Sequence, residues 1–336
     1  MPGVIGLDVG GANTKAVWRN GDAGRTVSRP FEISSDRDAL GSVLRAVVGD
    51  LGAEAVELVA LTMTAELADA FAGKREGVAF VLDAAEAALG GRVRLLVLTT
   101  AGELVGADEA RARPLDVAAA NWVASALAVG AVHPDALMLD VGSTTADVIP
   151  IAAGRVAAEG RTDLDRLLAG ELVYTGALRT SLAAVTREVP VRGRWCPVAG
   201  AAYAITADAH LLLGHIAPPD YTCPTPDGRA ASVEGARARV ARQVCADPDQ
   251  LEPGAAEAIA AHVHAEQVRA IEAAARRVGT RVPDDAAPVV PLGTGAFLAR
   301  AVAERLGRPV AEMPWSAAER DVGPAAALAR LAAARC

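Results

Sequence analysis

Ala136-Leu137-Met138-Leu139-Asp140-Val141-Gly142-Ser143-Thr144-Thr145-Ala146-Asp147-Val148-Ile149-Pro150 reads as an apolar strand, an Asp-Val-Gly turn with small hydroxyl residues, and a second apolar strand. The same pattern stands near the N-terminus as Ile5-Gly6-Leu7-Asp8-Val9-Gly10-Gly11-Ala12-Asn13-Thr14-Lys15-Ala16-Val17. The two aspartates lie 132 residues apart (140 minus 8). A duplication at that spacing marks two related α/β domains, predicted at 1–133 and 134–319. The C-terminal helix, about 320–336, is expected to pack back on the first, and the second carries an irregular insertion at about 190–226.

Working outward, apolar periodicity predicts helices over 40–50, 77–89 and 116–129, and strands over 55–62 and 93–98. Beyond the second hairpin, helices are expected over 232–245 and 254–278. Val289–Leu292 reads as a strand entering Gly293-Thr294-Gly295, with a helix from Ala296 to Leu306 behind it.

A strand ending in a Gly-rich turn points several backbone N–H groups into one small space, and glycine lets the backbone approach an anion closely. Thr and Ser hydroxyls add donors. An Asp at the strand end repels phosphate, but it holds Mg²⁺, and the ion bridges to the phosphate. A single Asp-x-Gly hairpin is mostly structural; its repetition in matching context favours function. Gly10, Gly11, Asn13, Thr14 and Lys15 are therefore candidate phosphate contacts, as are Gly142, Ser143, Thr144 and Thr145. Gly293, Thr294 and Gly295 form a third wall at a helix N-terminus. Asp8 and Asp140 are the candidate Mg²⁺ ligands and, with it, catalytic groups. Two such hairpins facing each other would clamp a phosphate chain in a cleft.

These three elements resemble the phosphate and adenosine loops of the actin-like ATPase superfamily, which includes sugar kinases and Hsp70. The implied fold is α/β, with two duplicated RNase H-like domains around a central cleft. More narrowly, the chain resembles the hydantoinase/oxoprolinase-related branch linked to tetrahydromethanopterin one-carbon metabolism. That resemblance runs through 61–69, 119–126, 170–179 and 206–214, with Tyr221-Thr222-Cys223 and Asp227-Gly228-Arg229, and covers nearly the whole chain. It implies a transferase of methanofuran-type coenzyme biosynthesis. Such an enzyme joins an (aminomethyl)furanmethanol diphosphate to the phenol of a glutamyltyramine or tyrosine unit, forms an ether and releases pyrophosphate, without need of ATP. Two alternatives stand beside it: an ATP-dependent kinase or hydantoinase-like amidohydrolase of the same fold, and a non-catalytic nucleotide-binding assembly factor.

The phenol needs a base, since its unperturbed pKa is about 10. Glu66, Asp208 and His210 are the candidates. Asp208 and His210 are two residues apart, so on a helix they point to different faces. Thr64 reads as the cap of a helix carrying Glu66. Glu171, Tyr174, Thr175 and Gly176 fall where the superfamily often lines its substrate pocket, and Arg229 is a further candidate substrate contact. Cys196, His210, His215 and Cys223 can be drawn together as a zinc set, but their spacing is irregular. His262 and His264, two apart on a helix, read as a solvated face rather than a chelating pair.

Composition narrows the partners to small molecules. The net charge is −8 with Lys and Arg scattered, which disfavours nucleic acid. Hydrophobic residues make up 52%, which excludes a disordered chain. No apolar run approaches about 18 residues, and the start Met1-Pro2-Gly3 lacks a basic leader, so a cytoplasmic protein off the membrane is expected. The four cysteines, Cys196, Cys223, Cys245 and Cys336, form no C-x-x-C pair and read as reduced thiols. Oligomeric state is left open, a homo-oligomer included.

Overall fold

The computed structural model describes residues 3–21, 23–91 and 93–335, so Met1, Pro2 and Cys336 lie outside it. The chain divides into two compact units. The first comprises Met1–Ala136, Ile151–Ala169 and Met313–Cys336; the second comprises Leu137–Pro150 and Gly170–Glu312.

In the first unit, β1 (Gly3–Val9), β2 (Asn13–Asn20) and β3 (Ala23–Pro30) form an antiparallel meander, and β4 (Val56–Met63) and β5 (Arg94–Leu98) add to β1 in parallel. The sheet order is β3-β2-β1-β4-β5-β6, with β6 (Leu104–Gly106) antiparallel at the edge. The alternation of β1 divides its faces. Ile5, Leu7 and Val9 join Leu40, Leu44, Val78 and Val81 of the helices Leu40–Asp50 and Lys74–Leu89 in the main core. The other face receives the C-terminal helix Gly323–Ala333, where Val17 packs with Ala325, Ala326 and Ala329. A Cβ on Gly6 would lie 2.2 Å from the Ala325 carbonyl oxygen. Glycine in a central strand costs about 0.5–1 kcal/mol, and here the close seating of an alanine-faced helix offsets it.

The second unit repeats the order. β7 (Ala136–Val141) and β8 (Ala146–Ala152) are joined by a four-residue turn; the end of β8, Ile151 and Ala152, pairs with β9 (Arg155–Val156) in the segment that belongs to the first unit. β10 (Leu172–Val173) pairs antiparallel with β8. A separate hairpin, β11 (Glu188–Val191) and β12 (Arg194–Pro197), follows. β13 (Val289–Leu292) returns parallel to β7, which gives β10-β8-β7-β13, the counterpart of β3-β2-β1-β4. Leu137, Leu139 and Val141 pack against Val268, Ile271 and Ala275 of the helix Ala255–Gly279 and against Leu298 and Val302 of the helix Ala296–Leu306. Each unit thus carries the RNase H-like arrangement that the duplicated turn implied.

Three expectations are corrected. The helix expected over 116–129 is broken: Ala119 sits at φ +50, and the long helix begins at Asn121. β3 was not expected. The irregular insertion contains the β11–β12 hairpin and the buried helix Thr206–Leu212.

Candidate functional site

In the first unit, the β1–β2 turn closes when the Gly10 N–H donates to the Asn13 carbonyl at 2.9 Å. A Cβ on Gly10 would come within 2.7 Å of that oxygen, whereas one on Gly11 would meet nothing within 4 Å, so the turn has one tight side and one open side. The β register sets Asp8 opposite Lys15 on β2 and Thr62 on β4, all on one sheet face. Asp8 is buried and its Oδ1 has no hydrogen-bond partner; burial pushes its pKa up to about 6, against the pull of Lys15. A buried carboxylate with an idle oxygen is a poor structural element and a suitable seat for a cation. Thr14 is a correction to the expected phosphate contacts. It pairs with Val9, so its side chain shares the core face and is fully buried, away from the turn's open side.

Beyond β4 the chain makes a single 3-10 turn, Ala65–Leu67. Thr64 holds the cap position without a side-chain cap bond; its N–H donates to the Val9 carbonyl at 2.9 Å, which ties it beside Gly10. Glu66 is 1% exposed. Its Oε1 accepts the Ala119 N–H at 2.7 Å, and its buried Oε2 has no partner. Burial raises its pKa to about 7, while the hydrogen bonds and Lys74 pull down and Asp163 pushes up. Lys74 and Asp163 are themselves paired at 2.8 Å, and the Arg166 guanidinium lies 4.4 Å from the Trp122 ring centre. Gly77 lets the helix Lys74–Leu89 seat on this turn, since a Cβ there would lie 2.6 Å from the Glu66 Cα.

The second unit reproduces the turn: the Gly142 N–H donates to the Thr145 carbonyl at 2.8 Å, at positions 132 residues after Gly10 and Asn13 (142 minus 10, 145 minus 13). The Ser143 carbonyl accepts the N–H groups of Leu178 and Arg179, both at 2.9 Å. Gly176 lies flat on the turn, where a Cβ would be 2.5 Å from the Thr144 nitrogen. From β13, Gly293 adopts φ +80 and stands where a Cβ would be 2.5 Å from Asp140 Oδ1, and the Gly295 N–H donates to the Val141 carbonyl at 2.8 Å. Thr294 between them is exposed. Asp140, Ser143, Thr144, Thr145, Gly176 and the Gly293-Thr294-Gly295 loop are therefore brought together within one unit.

The remaining expected residues separate. Thr175 is buried and its Oγ1 accepts from Gln267 Nε2 at 2.8 Å. Tyr174 is exposed. Glu171 is corrected: its carboxylate has no solvent exposure and is paired with Arg281, so it serves the interior of the unit rather than a substrate. Arg229 is exposed and lines a cavity of about 200 Å³ with Arg239 and Arg242. Asp208 and His210 share the helix Thr206–Leu212 and point apart, as their spacing predicts. Asp208 Oδ1 accepts from Arg239 Nε at 2.9 Å and from the Tyr221 hydroxyl at 3.1 Å, and Oδ2 accepts the Ile205 N–H at 3.0 Å. His210 contacts Gln267 and His215. Burial and the neighbouring His264 and His215 push its pKa down to about 3.

The drawn-together zinc set does not form. Cys223 is buried in an apolar cluster with Leu178 and Tyr221, and Cys196 lies on β12, whereas His210 and His215 meet His264. Among the described residues, Cys196, Cys223 and Cys245 form no disulfide. Sequence reasoning missed Ala119 and Gln267, and it misread His264, which turns from the solvated face expected for it to meet His210 and His215. The first two act through contacts 53 and 57 residues along the chain, and no local signal marks them.

The hydantoinase/oxoprolinase family model matches residues 57–335. A (4-{4-[2-(γ-L-glutamylamino)ethyl]phenoxymethyl}furan-2-yl)methanamine synthase of Methanocaldococcus jannaschii is 38% identical over 249 residues, 74% of this chain and 73% of its own. The synthase of the same name from Methanococcus vannielii is 38% identical over 36% of this chain and 54% of its own. Among solved structures, a nucleotide-free acetone carboxylase aligns with 91% of this chain and 67% of its own at a TM-score of 0.52 and 10% identity, a likeness of fold alone. With matches of this extent, the chain belongs to the hydantoinase/oxoprolinase family, in the branch that holds the archaeal phenoxymethylfuran synthases.

Proposed function

We propose that this protein is a transferase of methanofuran-type coenzyme biosynthesis that forms an aryl-alkyl ether. The observation that carries the reading is the 38% identity over 74% of the chain with a synthase named for a phenoxymethylfuran product. That product contains a phenol oxygen bonded to a furfuryl carbon. The phenol oxygen of a glutamyltyramine or tyrosine unit attacks the furfuryl CH₂, the bond from that carbon to the diphosphate oxygen breaks, and pyrophosphate leaves. The phenol proton passes to a base. Glu66 suits that role best among the candidates, because it is buried with one idle oxygen and a pKa near 7. Asp208 is committed to Arg239 and Tyr221.

Within the second unit, the Gly142-Ser143-Thr144 turn and the Gly293-Thr294-Gly295 loop offer backbone N–H and hydroxyl donors suited to a diphosphate, and within the first unit the Gly10-Gly11 turn offers donors of the same kind. The idle oxygen of Asp8 fits a hard cation, and Asp8 in the first unit and Asp140 in the second are each a candidate Mg²⁺ ligand. Bound Mg²⁺ would neutralise charge growing on the leaving group. ATP has no part in this reaction, and the kinase, amidohydrolase and assembly-factor readings are not favoured by the archaeal relatives. A place beside tetrahydromethanopterin-linked one-carbon metabolism, in the cytoplasm, accords with this assignment. Among the described residues no helix is long and apolar enough to cross a membrane.

Thermal shift in Mg²⁺ tests the reading first, since a ligand that binds only the native state raises the melting temperature. Pyrophosphate is expected to raise it and ATP to leave it unchanged. Ether formation from the furfuryl diphosphate and glutamyltyramine, with pyrophosphate release, is the decisive assay. An ATP response without a pyrophosphate response, and no ether, would sink the proposal.

A further inference from the structure

We infer that His210, His215 and His264 form a binding site for one divalent transition-metal ion of the zinc class, with a coordination position left open. Each offers a ring nitrogen, and these nitrogens all lie within 4.8 Å of one another. His210 Nδ1 and His215 Nδ1 are 3.2 Å apart. Two imidazole nitrogens on a tetrahedral ion, each about 2.0–2.1 Å from the metal, stand about 3.3 Å apart, so this pair is already at ligand spacing. His264 Nδ1 is buried without a hydrogen-bond partner.

The proton positions follow from Gln267. Its Nε2 donates to Thr175 Oγ1 at 2.8 Å and to the Gly176 carbonyl at 2.9 Å, so its Oε1 is the acceptor facing His210 Nε2 at 2.9 Å. His210 Nε2 must therefore carry the proton, and neutral His210 aims the lone pair of Nδ1 at the cluster. An amide oxygen fixing the far nitrogen is the usual way a metal-ligating imidazole is oriented. His264 lies one helical turn before Gln267, so one helix face supplies both a ligand and the group that orients another. Gly214, at φ +71, turns the chain so that the His215 N–H reaches the His210 carbonyl at 2.9 Å. Phe297 walls the site, its ring centre 4.7 Å from that of His210 and 4.8 Å from that of His215.

The group holds no carboxylate or thiolate, and an all-imidazole donor set suits zinc, copper, iron or nickel rather than magnesium. His215 is exposed, which gives an ion an entry path and leaves the fourth position to solvent. This inference stands independently of the ether-forming reaction.

The test uses the full chain purified without an affinity tag, stripped with a chelator and titrated with Zn²⁺ or Co²⁺. One equivalent is expected to bind, and cobalt is expected to show the d–d absorption of a four-coordinate ion. His215→Ala and His264→Ala are each expected to weaken binding at least about tenfold with the circular dichroism spectrum unchanged. His262→Ala is the control, since His262 faces Trp195 and Thr186 instead. A failure to saturate at one equivalent, or equal affinity in the His215→Ala and His264→Ala variants, would overturn the site. Equal loss in His262→Ala would do the same.

Discussion

Glu66 Oε1 accepts the backbone N–H of Ala119 at 2.7 Å, and the other oxygen of the same buried carboxylate has no partner. Ala119 reaches it because its left-handed backbone, at φ +50, interrupts the helix that would otherwise begin before it. The pair therefore fixes the carboxylate and leaves one oxygen idle, an arrangement that costs stability when the group is ionised and suits a proton acceptor.

The sign of that cost can be measured. The folded pKa of Glu66, about 7, stands above its ordinary 4.5, so the native state binds more protons between those values. Glu66 favours the fold most below pH 4.5 and loses that contribution as pH rises through 7. Glu66→Gln is therefore expected to be the more stable protein above pH 7, by at most on the order of 3 kcal/mol, with the gap closing toward pH 5. Ether formation in the same variant is expected to fall about 10²- to 10⁴-fold, the usual worth of a general base. Denaturation at pH 5 and 8, with turnover measured on both proteins, checks both. A variant less stable at pH 8 and equally active would remove Glu66 from the mechanism.

Asp208 gives the contrasting case. Its side chain is fully buried and ion-paired to Arg239, which is 2% exposed. Neutralising Asp208 leaves the buried Arg239 guanidinium with Asp227 alone, 3.1 Å away, so Asp208→Asn is expected to cost about 3 kcal/mol in urea unfolding. A stable Asp208→Asn protein with turnover lost would instead make Asp208 catalytic.

The contrast shows what sequence could and could not carry. The duplicated hairpins were legible because a glycine turn between apolar strands is written in adjacent residues, and Gly10 and Gly142 make the same turn. β3 was not legible: Ala-Gly-Arg-Thr-Val-Ser-Arg-Pro is largely exposed and lacks a clean apolar alternation. Residue types likewise singled out Glu66 and Asp140, each at the end of an apolar strand. They could not say that Glu171 is spent on Arg281, or that His264 finds partners on another helix rather than at His262. Such roles are set by tertiary contacts that leave no local periodicity.

Gly293 tests the loop that closes on Asp140. Its φ of +80 is disfavoured for any residue with a Cβ, and that atom would lie 2.4 Å from the Val141 carbonyl and 2.5 Å from Asp140 Oδ1. Gly293→Ala is expected to destabilise by on the order of 2 kcal/mol or more, combining backbone strain with overpacking. The response to pyrophosphate in thermal shift should weaken as well, because Asp140 must move. Gly307→Ala is the control: its φ of +66 carries the backbone strain, but its Cβ would meet nothing within 4 Å. The excess of the Gly293 effect over the Gly307 effect measures the close packing.

Asp8 separates a structural carboxylate from one held for a ligand. A structural carboxylate is bound on both oxygens, and its loss destabilises the protein. Asp8 Oδ1 has no partner, and burial rather than any bond dominates its raised pKa, about 6 against an ordinary 3.8. Ionised at pH 7.5, it costs the fold, so Asp8→Asn is expected to be as stable as the parent or more so. If Asp8 carries Mg²⁺, the same neutral, isosteric change removes the ion's anchor. The Mg²⁺ concentration giving half of the pyrophosphate-induced melting shift is then expected to rise at least about tenfold, while the melting temperature without ligand is unchanged or higher. A lower melting temperature with unaltered Mg²⁺ dependence would mean that Asp8 serves the sheet and that the cation is held elsewhere.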